Sequence, residues 1–179
     1  MHKLSFNNNK NKRVMKHLFT ISILLIISLC LSAQDFEVPQ NYVLNEKEDY
    51  SKYEPYVLEG IDWLLNTPIN VEPDKREEVN TFLMKWMIGS PTVTIVVKQE
   101  IVSFLPNADL LMVFLCGWTK YAIENEDYKN EVMGNQKGIE AVIDFYISNK
   151  EYLKKDKNVE KYIKLQRKGK LEAFIKENV

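Results

Sequence analysis

From Asp49 onward, apolar residues recur with the period of a helix rather than a strand. Tyr53, Tyr56, Val57, Gly60, Ile61, Leu64 and Leu65 fall at the spacings of one amphipathic stripe, with Pro55 in the first turn and Thr67-Pro68 as the stop. Asp74 and Glu77 have the spacing of a capping box, opening a helix whose inner face is Val79, Phe82, Leu83, Trp86 and Met87. Gly89 suits a left-handed C-terminal position. Ser90-Pro91 then carries the signature of a new helix start.

The segment after it is ambiguous. Thr92-Val-Thr-Ile-Val-Val97 is a run of β-branched and strand-favouring residues, yet Val93, Val96, Val97, Ile101, Phe104 and Leu105 also fit a helical stripe ending at Pro106. A lone strand has no partner in the rest of the pattern, so the expectation is a helix.

Asn107 is placed to cap a helix over 108–124 whose middle, Leu110 to Trp118, is apolar on every side. That helix is expected at the centre of the domain, with Trp86 and Trp118 buried. A long helix follows from Tyr128 to Ile147, with a kink or break at Gly134 and Gly138. Ser148 and Glu151 match another capping box, and one or two further helices run to the end, interrupted near Gly169. The fold class is all-α, a bundle of about five to seven helices. Residues 34–48, which contain Pro39 and show no period, form a short extended arm before the helical domain 49–179, held through Phe36 and Tyr42.

The first 33 residues follow a different rule. Five basic residues and no acid precede a 14-residue apolar run, Leu18 to Leu31, which ends in Ser32-Ala33. A membrane-spanning helix needs about 20 residues, so this run reads as a signal peptide with cleavage between Ala33 and Gln34. The membrane is then engaged only transiently, and the protein is periplasmic or extracellular. A lipobox carries a small residue before its cysteine; Leu29 stands there, so Cys30 reads as an ordinary leader residue.

Removing the leader changes the chemistry. Both histidines lie within it, and the remaining chain keeps a single cysteine, Cys116. Histidine triads, imidazole-based zinc sites, Cys–His nucleophiles and intrachain disulfides are therefore excluded from the exported domain. No phosphate-cradling glycine loop, dinucleotide fingerprint or serine-hydrolase motif occurs, and no cofactor is expected. Cys116 sits in the most apolar stretch and reads as a buried small hydrophobe.

Charge is unevenly spread. Residues 34–148 hold 9 Lys and Arg against 20 Asp and Glu, whereas residues 149–179 hold 10 against 5. The basic tail supplies a candidate partner surface of Lys161, Lys164, Arg167 and Lys168, joined by Trp63, which is off the stripe of its own helix. Net negative charge and export argue against nucleic acid. Acid clusters occur at Asp74/Glu77/Glu78 and Glu124/Glu126/Asp127, both at helix starts or turns where carboxylates complement the dipole. The expected function is a non-enzymatic binding protein for a protein or glycan of the envelope or surroundings, with an immunity-protein-like role as one version. A carboxylate-based glycan hydrolase is the alternative.

Overall fold

A computed structural model describes residues 36–179, and these form an all-helical domain. Six helices occur among the described residues, with no strand: α1 (Lys47–Asn66), α2 (Pro73–Gly89), α3 (Ala108–Glu124), α4 (Glu131–Ser148), α5 (Lys157–Arg167) and α6 (Leu171–Asn178). The leader, with its Ala33–Gln34 junction, lies outside the described residues. No described helix is long and apolar enough to cross a membrane.

α3 and α4 form the centre. Ten of the seventeen residues of α3 are buried, among them Phe114, Cys116 and Trp118, as its all-round apolar sequence requires. Asn107 caps it, its side chain accepting a hydrogen bond from the Leu110 amide at 3.2 Å. α4 is continuous, and its glycines mark close packing instead of a break. A Cβ on Gly134 would lie 2.3 Å from the Trp118 ring, and one on Gly138 2.5 Å from the Phe114 ring. The two aromatic rings of α3 occupy the space those side chains would need. On α3, Gly117 returns the contact, because a Cβ there would come within 2.7 Å of Ala141.

α1 and α2 cover another side of this pair, and the arm covers them in turn. Phe36 and Val38 are buried, and the Tyr42 ring meets Phe82 edge-on with centroids 5.0 Å apart. α1 begins at Lys47, two residues before Asp49, because Asp49 accepts the Glu46 and Asn45 amides at 3.0 Å each. Pro55 consequently lies inside the helix rather than in its first turn. α2 starts at Pro73 after Glu72 in a left-handed conformation (φ 48°), so Asp74 falls in the first turn and not at the cap. Gly89 ends α2 without a positive φ; a Cβ on it would lie 2.0 Å from the Tyr50 hydroxyl.

The expected helix over 91–105 does not form. Ser90 does act as a cap, its hydroxyl accepting the Val93 amide at 3.1 Å, but no helical turn follows. β-branched side chains lose χ1 freedom against a preceding helical turn, and this run is too short to recover that through burial. Residues 92–97 are irregular, while 98–107 fold into turns pinned to α5. There the Tyr162 hydroxyl donates to the Ile101 carbonyl at 2.6 Å and Asn158 donates to the Ser103 carbonyl at 2.9 Å.

Ser148 belongs to α4 and caps nothing. Asp156 caps α5 through the Asn158 and Val159 amides, and Gly169 (φ 64°) turns the chain into α6. The basic C-terminal region is therefore two helices whose apolar sides, Val159, Tyr162, Ile163, Leu171 and Ile175, belong to the common core.

Candidate functional site

α2 places Arg76, Val79, Phe82, Leu83, Trp86 and Met87 in the interior. The adjacent stripe of the same helix, Glu77, Asn80, Thr81, Met84 and Ile88, recurs at helical spacing and turns outward. Together with Ile69 from the α1–α2 connection and Asp109 from the start of α3, this stripe lines an open groove of about 630 Å³. Ile88 on its edge is 79% exposed, the most exposed large apolar residue among those described. Lys85 and Glu77 give the groove a mixed charged rim.

Arg76 also lines the groove, yet it is 93% buried, the complement of its 7% exposure. Its guanidinium donates to the carbonyls of Thr67 (2.7 Å), Pro68 (3.1 Å) and Leu64 (3.4 Å), satisfying the end of α1 and the chain leaving it. Its Nε and the Oδ1 of Asn80 are buried without hydrogen-bond partners. Burial lowers the Arg76 pKa from its ordinary value, opposed by the charge of Asp109. Arg76 makes no salt bridge among the described residues, so its role here is to cap α1 and to face the Trp63 and Phe145 rings at 5.6 and 5.9 Å.

The sequence-predicted surface divides. Trp63 is 8% exposed and lies beneath Lys75 and Arg76, whose charged groups sit 5.4 and 5.6 Å from its ring centre. Its place off the α1 stripe reflects a wider buried face, extended by the first turn of α2, and not solvent contact. Lys161, Lys164, Arg167 and Lys168 are exposed on or just after α5. Lys161 stacks on the Phe174 ring of α6 at 4.4 Å, and Lys164 and Arg167 complement the C-terminal end of the α5 dipole. Trp63, being buried, shares no surface with them.

The acid clusters stay in solvent. Asp74, Glu77 and Glu78 are exposed, lining a cavity of about 440 Å³ with Pro39, Asn41 and Tyr42 of the arm. Glu124 pairs with Lys120 at 3.7 Å, and Asp127 accepts from the Tyr121 hydroxyl (2.5 Å) and the Asn130 side-chain amide (2.9 Å). No group of three or more His, Cys, Asp or Glu among the described residues is arranged to hold a metal ion. Burial pushes the Cys116 thiol far above its ordinary pKa, which keeps it protonated and unreactive.

Two features escaped the sequence reading. Glu54 has its pKa raised by burial and then by the charge of Glu126, a pairing across 72 positions that local spacing cannot show. Ile88 belongs to neither the inner stripe of α2 nor a recognisable motif; its only trace was the i, i+4 relation to Met84. No protein-family model, no curated protein and no solved structure matches this chain.

Proposed function

We propose that the chain is an exported, non-enzymatic interaction protein that takes a protein partner in the groove along α2. The observation that supports this reading is the apolar stripe of Met84 and Ile88 facing Ile69, left open beside a charged rim. Exposed apolar surface on a small domain is a cost in water that partner binding removes. An aliphatic side chain of the partner fills the groove, and its polar neighbours meet Lys85 and Glu77. Export rests on the leader and its Ala33–Gln34 junction. Lys164, Arg167 and Lys168 add long-range attraction for an anionic partner. The hydrolase alternative draws on the exposed Asp74, Glu77 and Glu78, which have the solvation of helix-start acids rather than that of a general acid.

Affinity capture from the native envelope tests the reading with tagged protein and its Ile88→Asp variant. A protein retained by the wild type and lost with Ile88→Asp, at unchanged circular dichroism, is the expected result. Capture indifferent to Ile88→Asp rejects the groove. Glycan turnover abolished by Glu77→Gln would replace the reading with the hydrolase.

A further inference from the structure

The outer side of α5 carries a row of like charge. Lys157, Lys161, Lys164 and Lys168 stand at i, i+4, i+7 and i+11, so at about 100° per residue they fall within an arc of about 60°. The axial steps between them are about 6, 4.5 and 6 Å. All four are exposed, while Val159, Tyr162 and Ile163 on the opposite side fix the helix to the core. Among the described residues, no carboxylate stands within ion-pair distance of any of the four. The nearby acids are engaged elsewhere: Asp156 holds the Asn158 and Val159 amides, Glu160 pairs with Lys150, and Glu172 pairs with Lys176. The helix dipole accounts for Lys164 and Lys168 near the C-terminal end of α5. It opposes Lys157, the first residue of the helix, where a cation meets the positive end.

We infer that this row is a binding site for an anionic polysaccharide, one that carries carboxylate or sulfate groups at regular intervals along its chain. The match is one of charge and shape. A straight row of flexible ammonium groups meets a linear series of point charges and imposes no fixed donor geometry on them. Other anionic occupants need features that the row lacks. A protein interface is built around an apolar or aromatic centre, and the exposed residues of α5 are all polar. A bilayer takes an amphipathic helix by its apolar side, which here lies inside the domain. Single-stranded nucleic acid needs open rings for its bases, and the Phe174 ring beside the row lies beneath Lys161, whose ammonium is 4.4 Å from its centre. The row is on a different helix from the α2 groove, so the inference stands or falls separately from the reading of that groove.

Titration of the protein recovered from expressing cells with alginate, dextran sulfate and neutral dextran reads the site directly. The expected result is binding to at least one of the two charged polymers, none to dextran, and release at about 1 M salt, where charge is screened beyond about 3 Å. Lys157→Gln with Lys164→Gln should weaken binding about tenfold, and Lys157→Arg with Lys164→Arg should retain it. Lys47→Gln with Lys52→Gln removes the same charge from exposed positions of α1 and should leave binding unchanged. Failure of both charged polymers to bind overturns the inference, as does an equal loss with the α1 pair, which would reduce the effect to net charge. Equal or tighter binding to vesicles of phosphatidylglycerol and phosphatidylcholine makes the occupant a lipid surface and overturns it too. If the glutamine pair on α5 loses helicity, lysine acetylation of the unmodified protein decides: a charged polymer that shields Lys157 and Lys164 no more than Lys47 and Lys52 overturns the inference.

Discussion

Glu54 holds a charge where the fold does not favour one. Burial and the nearby Glu126 raise its folded-state pKa, so the folded chain binds that proton more tightly than the unfolded chain. Its contribution is most favourable below the unfolded pKa and declines as pH rises through the interval up to the raised value. Glu54→Gln should therefore raise the melting temperature at pH 7 and give no gain near pH 3, which thermal melts at the two pH values would check. Asp49 has the opposite sign. The Glu46 and Asn45 amides depress its pKa, so its support for the start of α1 is present at neutral pH and lost as pH falls through that lowered value. Gly169 isolates a backbone effect: its φ is 64° and a Cβ would meet nothing within 4 Å. Gly169→Ala should cost about 1 kcal/mol in denaturant melts, and Gly169→Asn less, because asparagine tolerates the left-handed region.

Among the elements, the α3–α4 contact is the most sensitive. Phe114 is fully buried against Gly138, and Phe114→Ala should cost about 3–5 kcal/mol by chemical denaturation. Gly138→Ala acts from the other side, forcing the ring to move; a cost near zero would mean that the two helices slide apart freely. Tyr162→Phe leaves the buried Ile101 carbonyl without its donor and should cost about 1–3 kcal/mol. Much of this architecture was legible in the sequence. The inner stripes of α1 (apart from Tyr56, which is exposed) and α2, the Asn107 cap and the buried α3 follow from periodicity and capping, because each is decided within a few turns. What failed was decided elsewhere. The 92–97 run satisfied a helical period, but periodicity does not count the rotamer freedom lost by successive branched residues. Gly134 and Gly138 read as helix breakers because the rings of Phe114 and Trp118 that need their space lie far away in sequence. Trp63 reads as solvent-facing in the sequence because Lys75 and Arg76, which cover it, arrive from another helix. The groove was hidden for the same reason, since Ile69, Ile88 and Asp109 converge only once α1, α2 and α3 have packed.

At the scale of the whole molecule, the acidic body and the basic C-terminal helices share one core instead of meeting as body and tail. Tyr162 and Asn158 tie α5 to the 98–107 turns, and the Asp156 amide donates to the Tyr146 hydroxyl of α4 at 3.1 Å. Removal of residues 149–179 should therefore unfold the domain rather than merely strip it of positive charge, seen as loss of cooperative melting. Export is checked separately: a reporter fused after residue 40 should be translocated, and the recovered protein should begin at Gln34.

The solitary thiol among the described residues has one more consequence. Cys116 is wholly enclosed, and its neighbours on α3 and α4 leave no path for a reagent while the helices remain docked. A maleimide can reach it only when the centre opens, so alkylation timed by mass spectrometry becomes a stopwatch for opening of the central helix pair, with no engineered probe. If the leader is removed as proposed, the same reaction under denaturant should count two thiols in a chain that keeps Cys30 and one in a chain that begins at Gln34, so a single reagent both clocks the core and tests the cleavage.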